Sequence, residues 1–129
     1  MAETLTILDA SALMALVHRE AGHQRVEAVL GSSAISAVNF SEVVAKLCDR
    51  GIPLDLVHIQ LSALQLDVIG FDEDQAVKAG SLRPQTRSLG LSFGDRACLA
   101  LAMIKRGIAL TADRTWAGLD IGAEIELIR

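Results

Sequence analysis

Short apolar runs alternate with longer segments of helical periodicity along this chain. The apolar runs predict strands at 4–8, 34–38, within 66–71, at 108–111 and at 124–128. Between them, apolar residues recur every three or four positions, which is typical of helices with one buried face. No linker or repeat divides residues 1–129, so the pattern predicts one domain. Alternating strands and helices indicate an α/β fold with a mostly parallel sheet of about five strands, flanked by helices.

Capping residues predict where the helices begin. Ser11 is expected to cap a helix that runs to about His18, and Asn39 is expected to cap a helix that Gly51 ends. Further helices are predicted after Gly22, after Pro53, from 72 to Pro84 and at 96–106, and a loop is predicted at 85–91. The helix at 96–106 is apolar on nearly all sides, so it should be central and buried.

Composition excludes several classes of protein. Hydrophobic residues make up 51% and charged residues 22% of the chain, so disorder is not expected and an oligomer is plausible. The net charge of −4 argues against nucleic-acid binding through a generally basic surface, so any such contact must be local. With only 3% aromatic residues, a stacking platform for single strands is not expected either.

The N-terminal segment and the cysteines predict where the protein resides. The apolar run at 5–17 is interrupted by Asp9 and lacks a basic flank, so neither a signal peptide nor a membrane span is expected. Cys48 and Cys98 lie in apolar helical stretches without metal-binding spacing, which favours buried thiols in a reducing compartment. Both observations predict a cytoplasmic protein.

Four acidic residues stand at the polar ends of apolar segments. Asp9 and Asp113 follow predicted strands, while Glu42 and Asp95 lie near the starts of predicted helices. In a parallel sheet these positions meet at one edge, so the four carboxylates are expected to gather there. Gathered carboxylates repel at neutral pH unless cations neutralise them. Oxygen ligands suit Mg²⁺ or Mn²⁺, and such sites recur in enzymes that cleave phosphodiesters.

Each of these acids also has a structural explanation when it is taken alone. Acidic residues are favoured in the first turns of helices, so capping explains Glu42 better than catalysis does, and Asp95 suits either role. Asp113 could begin a turn. Asp9 is harder to explain, because Ser11 is already expected to cap the helix that follows it. It is the joint pattern that favours a metal site.

Four segments resemble the signature blocks of the PIN domain family, and more narrowly those of VapC-type toxins of bacterial type II toxin–antitoxin systems. The segments are LDASALMAL (8–16), NFSEVVAKL (39–47), LSFGDRACLALA (91–102) and LTADRTW (110–116). They span essentially the whole chain in a specific order. The most specific part is GDR before an apolar helix together with TADRTW after it.

The resemblance implies a Mg²⁺- or Mn²⁺-dependent endoribonuclease that is usually a homodimer and is inhibited by a cognate antitoxin protein. It carries the acidic quartet over to Asp9, Glu42, Asp95 and Asp113. We expect Asp9 and Asp95 to bind the metal directly, and the other two acids to complete the shell, orient water or hold a second ion. The expected polar and basic contacts to substrate are Ser11, Arg87, Arg96, Thr111 and Arg114. Each arginine could equally pair with a neighbouring carboxylate.

Other functions remain open at this level. The chain could be a PIN-domain nuclease of RNA processing outside a toxin–antitoxin system, or a non-catalytic interaction module whose acids bind structural metal. A phosphoryl-transfer receiver or phosphatase is disfavoured, because Asp9-Ala10-Ser11 lacks both the acid pair and the DxD nucleophile motif such proteins carry. A nuclease of the RNase H type would begin with an antiparallel meander, for which the sequence gives no sign.

Overall fold

The computed structural model describes residues 4–129, and five short strands form its sheet. The strands are β1 (Thr6–Leu8), β2 (Ser33–Ser36), β3 (Asp67–Ile69), β4 (Ile108–Thr111) and β5 (Glu124–Leu127). Every neighbouring pair is parallel, in the order β3-β2-β1-β4-β5. The predicted α/β class with a parallel five-stranded sheet is therefore confirmed.

Helices connect successive strands. The α-helices are α1 (Ala10–His18), α2 (His23–Val29), α3 (Ala37–Asp49), α4 (Leu54–Ser62), α5 (Glu73–Ser81), α6 (Arg83–Thr86) and α7 (Phe93–Lys105). Short 3₁₀ helices occur at Leu30–Ser32, Arg87–Leu89 and Arg114–Gly118. Within residues 4–129, no helix has both the length and the apolar character that a membrane crossing requires.

The helices cover both faces of the sheet and bury two apolar clusters. Leu8 belongs to one cluster, with residues of α1, α3 and α4. Ile7 points to the opposite face and belongs to the second cluster, with Trp116 and residues of α7. Neighbouring residues of one strand thus serve different cores, as expected for a parallel sheet covered on both sides. The predicted burial of α7 is confirmed, since its residues 97–102 are all buried.

The order of the strands creates a switch point between β1 and β4. From β1 the chain proceeds outward through β2 and β3, then returns to β4 on the other side of β1. Leu8 lies opposite Leu110 of β4, and the Asp9 amide N–H donates to the Leu110 carbonyl. In open α/β sheets, such a crevice beyond the carboxyl ends of the strands is the usual ligand site.

Two predicted helix caps were wrong. Asp9, not Ser11, caps α1, and its side chain accepts from the Ala12 N–H. Ser36, not Asn39, caps α3, which begins at Ala37. Ser36 is fully buried at the end of β2, so the chain turns directly from strand into helix there. As a result, Glu42 lies in the second turn of α3 rather than the first.

Two further local predictions need correction. The segment 85–91 is not an open loop, since α6 and a 3₁₀ helix occupy most of it. Pro84 stands in the first turn of α6, where its missing N–H costs little. Both cysteines were expected to be buried, but only Cys98 is buried and Cys48 is exposed. On α3, Val43 and Leu47 face the core, whereas position 48 faces outward.

Candidate metal centre

Asp9 is the best-defined residue at the switch point. It is only 4% exposed, yet three groups donate to its carboxylate. Oδ1 accepts from the Ser11 hydroxyl at 2.7 Å and from the Ala12 N–H at 2.8 Å, and Oδ2 accepts from the Thr111 hydroxyl. A carboxylate offers about four lone-pair positions, so one position on Oδ2 is not used by these donors.

Burial dominates the electrostatics of Asp9. The pKa of this carboxyl is raised from 3.8 to about 6, chiefly by loss of hydration and to a smaller extent by the negative charge of Asp95. The hydrogen bonds from Thr111, Ser11 and Ala12 act in the opposite direction. A buried carboxylate that costs energy to ionise and lies within the field of a second carboxylate is an environment that a bound cation would stabilise.

The hydroxyl groups beside Asp9 join β1 to β4. Ser11 accepts from the Ala112 N–H at 2.9 Å, and Thr111 accepts from the Asp113 N–H at 3.0 Å. Both hydroxyls therefore accept a hydrogen bond from a backbone N–H of the turn after β4 and donate a hydrogen bond to Asp9. The two polar residues that the sequence placed near the site do lie there, where they hold Asp9 in position.

Glu42 extends from α3 towards the first turn of α7. Its Oε1 accepts from Asn39 Nδ2 at 2.8 Å, and the same nitrogen donates to the Gly94 carbonyl at 2.9 Å. A methyl group built on Gly94 would stand 2.5 Å from Glu42 Oε1, so the carboxylate occupies the space that glycine leaves. Asn39 and Gly94 therefore contact the Glu42 carboxylate. The sequence indicated Asn39 only as a helix cap and Gly94 only as part of the segment GDR.

Asp95 occupies the first turn of α7. Its Oδ2 accepts from the Ser92 N–H at 2.9 Å and its own N–H donates to Ser92 Oγ at 3.2 Å, which forms a capping box. One turn later, burial raises the pKa of the Cys98 thiol well above its usual range, with further contributions from Asp9, Asp95 and Glu42. The negative charges of Asp9, Glu42 and Asp95, which belong to different parts of the chain, are therefore all felt at the buried Cys98 sulfur.

Asp113 lies two residues beyond β4. Its Oδ1 caps the 3₁₀ helix Arg114–Gly118 by accepting from the N–H and the hydroxyl of Thr115. The sequence allowed a turn at Asp113 but did not indicate that this residue caps a 3₁₀ helix. Trp116, in the same short helix, is fully buried and packs in the second apolar cluster.

The four acids lie at the same edge of the sheet, but their side chains do not form a complete coordination site for an ion. Across residues 4–129, no three carboxylate, imidazole or thiol groups stand close enough together to hold an ion as they are placed. Each carboxylate is instead engaged by local donors, at Ser11, Asn39, Ser92 or Thr115. Each of the four carboxylates is therefore held by its own local hydrogen bonds and keeps lone pairs that these bonds do not use.

The donor set fits Mg²⁺ or Mn²⁺ in its chemistry. The candidate ligands are oxygen atoms, which these hard cations prefer, and Asp9 keeps a lone pair free. Asn39 Oδ1 is a further buried oxygen without a hydrogen-bond partner among the described residues. A cavity of about 500 Å³ lies at the opposite edge of the sheet, near Gly107 and Glu124. The candidate metal centre is therefore distinguished by its carboxylates and not by the size of a cavity.

The three candidate arginines lie in different environments. Arg87 is exposed in the 3₁₀ helix before α7. Arg96 donates to the Ala79 carbonyl at 3.0 Å and its guanidinium lies 5.9 Å from the centre of the Phe93 ring. Arg114 donates to the Arg129 carbonyl at 3.1 Å. Arg96 and Arg114 thus donate to backbone carbonyls of the protein itself, whereas Arg87 is an exposed candidate without such a bond among the described residues.

Comparison with protein families identifies the domain. The model of the PIN domain matches residues 6–121, which includes all four acids. A comparison with curated protein sequences gives no significant match.

Several solved structures share the fold. A toxin–antitoxin complex from Klebsiella pneumoniae is 22% identical with a TM-score of 0.78, over 96% of this chain and 98% of that one. A DNA-bound VapBC from Salmonella typhimurium is 18% identical with a TM-score of 0.78, over 98% and 100% of the two chains. A Mycobacterium tuberculosis VapC described as a sarcin–ricin loop cleaving toxin is 21% identical with a TM-score of 0.68, over 89% and 96%.

Proposed function

Because this chain belongs to the PIN domain family, we propose that it is a metal-dependent endoribonuclease and the toxin of a type II toxin–antitoxin pair. The observation that carries the proposal is the buried Asp9 carboxylate at the switch point, within the field of Asp95. Burial of that carboxylate is costly without a cation, so its presence at the ligand-binding edge favours metal chemistry over a purely structural role.

The proposed reaction is hydrolysis of an RNA phosphodiester, in which water adds across a P–O bond and leaves a phosphate on one product and a hydroxyl on the other. Asp9 and Asp95 would hold Mg²⁺ or Mn²⁺, with Glu42 and Asp113 completing the shell or orienting water. The ion supplies positive charge for the phosphate and makes water a better nucleophile. The chain itself keeps Asp9 fixed through Ser11 and Thr111.

Substrate binding is expected to depend on few residues. The net charge of −4 gives little general attraction for RNA, so bound metal and single arginines must provide it. Arg87 is an exposed candidate for which the structure gives no side-chain hydrogen bond within residues 4–129. RNA binding should therefore be weak in EDTA and should strengthen when Mn²⁺ is added.

The proposed partners are an antitoxin and a second copy of this chain. Two of the similar solved structures are toxin–antitoxin complexes. Exposed apolar side chains on α4, at Leu54, Leu56 and Ile59, support contact with another protein. We expect the antitoxin to place an arginine or lysine near Asp9 and Asp95, and to block cleavage in the cytoplasm. Cleavage that persists unchanged in a purified complex would contradict this arrangement.

A cleavage assay with matched variants tests the activity. Purified protein should cut RNA with Mg²⁺ or Mn²⁺ and not with EDTA, and Asp9→Asn should abolish cleavage. Asp72→Asn is the control, because Asp72 also follows a strand and caps a helix but is exposed and outside the proposed site. Equal activity of the parent and the Asp9 variant would refute the proposal. Metal binding without cleavage would instead favour the interaction module.

A further inference from the structure

We propose that Asn39 is a positioning residue that holds Glu42 against α7 and thereby sets the geometry in which the site takes up its divalent cation. This inference rests on the proposed function and adds to it a residue outside the acidic quartet. It depends on a juxtaposition of α3 and α7 that involves Asn39, Glu42 and Gly94.

The amide of Asn39 has little freedom. The residue is 1% exposed, and both hydrogens of Nδ2 are used, one by Glu42 Oε1 at 2.8 Å and one by the Gly94 carbonyl at 2.9 Å. The opposite orientation of the amide would direct its oxygen at two acceptors, so the partners themselves determine which atom is nitrogen. Asn39 therefore makes one bond that joins the two helices and one that orients a carboxylate.

Gly94 completes the arrangement from the other side. Its ideal Cβ would lie 2.5 Å from Glu42 Oε1 and 2.6 Å from Oε2, distances that real Cβ atoms do not reach. The φ angle of Gly94 is not positive, so what is needed here is space and not an unusual backbone conformation. The Glu42 carboxylate is thus confined between an amide donor on its own helix and the bare backbone of α7.

This confinement has a functional consequence. Glu42 belongs to α3 and Asp95 to α7, so their relative position depends on how the helices are joined. Gly94 is adjacent to Asp95 in sequence, and the Asn39 bond to its carbonyl fixes α3 at that point. A free glutamate side chain rotates about three bonds and loses entropy when it binds an ion, whereas a confined one has already lost most of it.

A purely structural role for Asn39 predicts a different result from a positioning role. Removal of a buried amide leaves the Gly94 carbonyl without its donor and lowers stability in either case. Only the positioning role predicts that cation affinity falls as well. Gln75 provides the matched control, since it is a buried amide that donates to the Gly70 carbonyl at 2.8 Å and makes no described hydrogen bond to any of the four acids.

The first experiment titrates Mn²⁺ into the full-length parent, Asn39→Ala and Gln75→Ala, and follows free Mn²⁺ by electron paramagnetic resonance. Asn39→Ala should bind Mn²⁺ at least about tenfold more weakly, as is typical when the support of a ligand is removed. Gln75→Ala should lose stability in urea but keep the affinity of the parent. At saturating Mn²⁺, the KM for RNA of Asn39→Ala should remain near that of the parent while kcat falls.

The second experiment changes the other side of the arrangement. Gly94→Ala should push the side chain of Glu42 out of this position rather than shift the backbone, because only side-chain atoms of Glu42 stand near the added methyl group, so the fold should survive. Alanine is also favoured over glycine within helices, so the urea midpoint should stay level or rise while Mn²⁺ affinity falls. This variant gives a result even if Asn39→Ala does not fold.

The outcomes separate this inference from the proposed function. If the parent binds Mn²⁺ and cleaves RNA but Gly94→Ala and any folded Asn39→Ala bind Mn²⁺ equally well, Asn39 has no positioning role and only the inference is overturned. If the parent itself neither binds Mn²⁺ nor cleaves RNA, the proposed function is overturned and the inference with it. Weaker binding in both variants, beside a normal Gln75→Ala, supports the inference.

Discussion

Replacement of Asp9 by asparagine should make the metal-free protein more stable at neutral pH and less stable in acid. Asn keeps the shape of the side chain and caps helices about as well as Asp, so α1 should keep its first turn. What changes is the charge. In the folded protein, burial raises the pKa of Asp9 from 3.8 to about 6.

The size of the effect follows from this difference in pKa. Well below pH 3.8 the carboxyl is protonated in both the folded and the unfolded chain, and its ionisation costs the fold nothing. Between pH 3.8 and about 6 the unfolded chain has released the proton while the folded chain still holds it, so stability falls as the pH rises, and the loss is complete above about pH 6. The difference between 3.8 and about 6 corresponds to about 3 kcal/mol.

Asparagine avoids this cost but disturbs one hydrogen bond. Thr111 donates to Oδ2 of Asp9, and an amide nitrogen at that position could not accept the bond, which costs about 1 kcal/mol. We therefore expect Asp9→Asn to be about 2 kcal/mol more stable than the parent at pH 8 and about 1 kcal/mol less stable at pH 3.5.

Urea unfolding in EDTA at a series of pH values measures both limits. The difference between variant and parent should change sign between pH 4 and 7, and Asp72→Asn, at an exposed cap, should show no such crossing. Addition of Mn²⁺ at pH 8 should stabilise the parent and leave Asp9→Asn almost unchanged. A constant difference across the pH range would show that burial does not perturb Asp9 and would refute the reasoning.

Three further changes test other parts of the site. Asp95→Asn should keep its hydrogen bond from the Ser92 N–H and nearly the stability of the parent. It should lose RNA cleavage and most of the rise in melting temperature that Mn²⁺ causes in the parent. An active variant with a full rise would remove Asp95 from the site. Thr111→Val removes the donor to Asp9 and the acceptor for the Asp113 N–H, so urea unfolding should show a loss of about 1–3 kcal/mol, and no loss would contradict the proposed network. Arg87→Gln should weaken RNA binding and should lower the slope of log binding constant against log salt concentration by about one. An unchanged slope would exclude a phosphate contact of Arg87.

Local sequence was sufficient for the order of elements because strand and helix periodicities differ. Alternating apolar runs and amphipathic segments predicted the parallel sheet and placed Asp9 and Asp113 just beyond strands β1 and β4. Burial of α7 followed from its apolar composition on all sides. Helix starts were less predictable, because any of several polar residues can cap. Ser11 and Asn39 both have capping side chains, yet Asp9 and Ser36 cap the helices.

What the amino-acid sequence determined by itself is the class of fold and the positions of four acids along it, since both depend on patterns within short segments. Only the tertiary structure decided the neighbours of each acid. The switch point beside β1 depends on a strand order that pairs β1 with β4 across about one hundred residues. The pairing of Glu42 with Gly94 depends on packing between α3 and α7. Burial, which shifts the pKa of Asp9, arises from the whole assembled chain, because only packed elements exclude water.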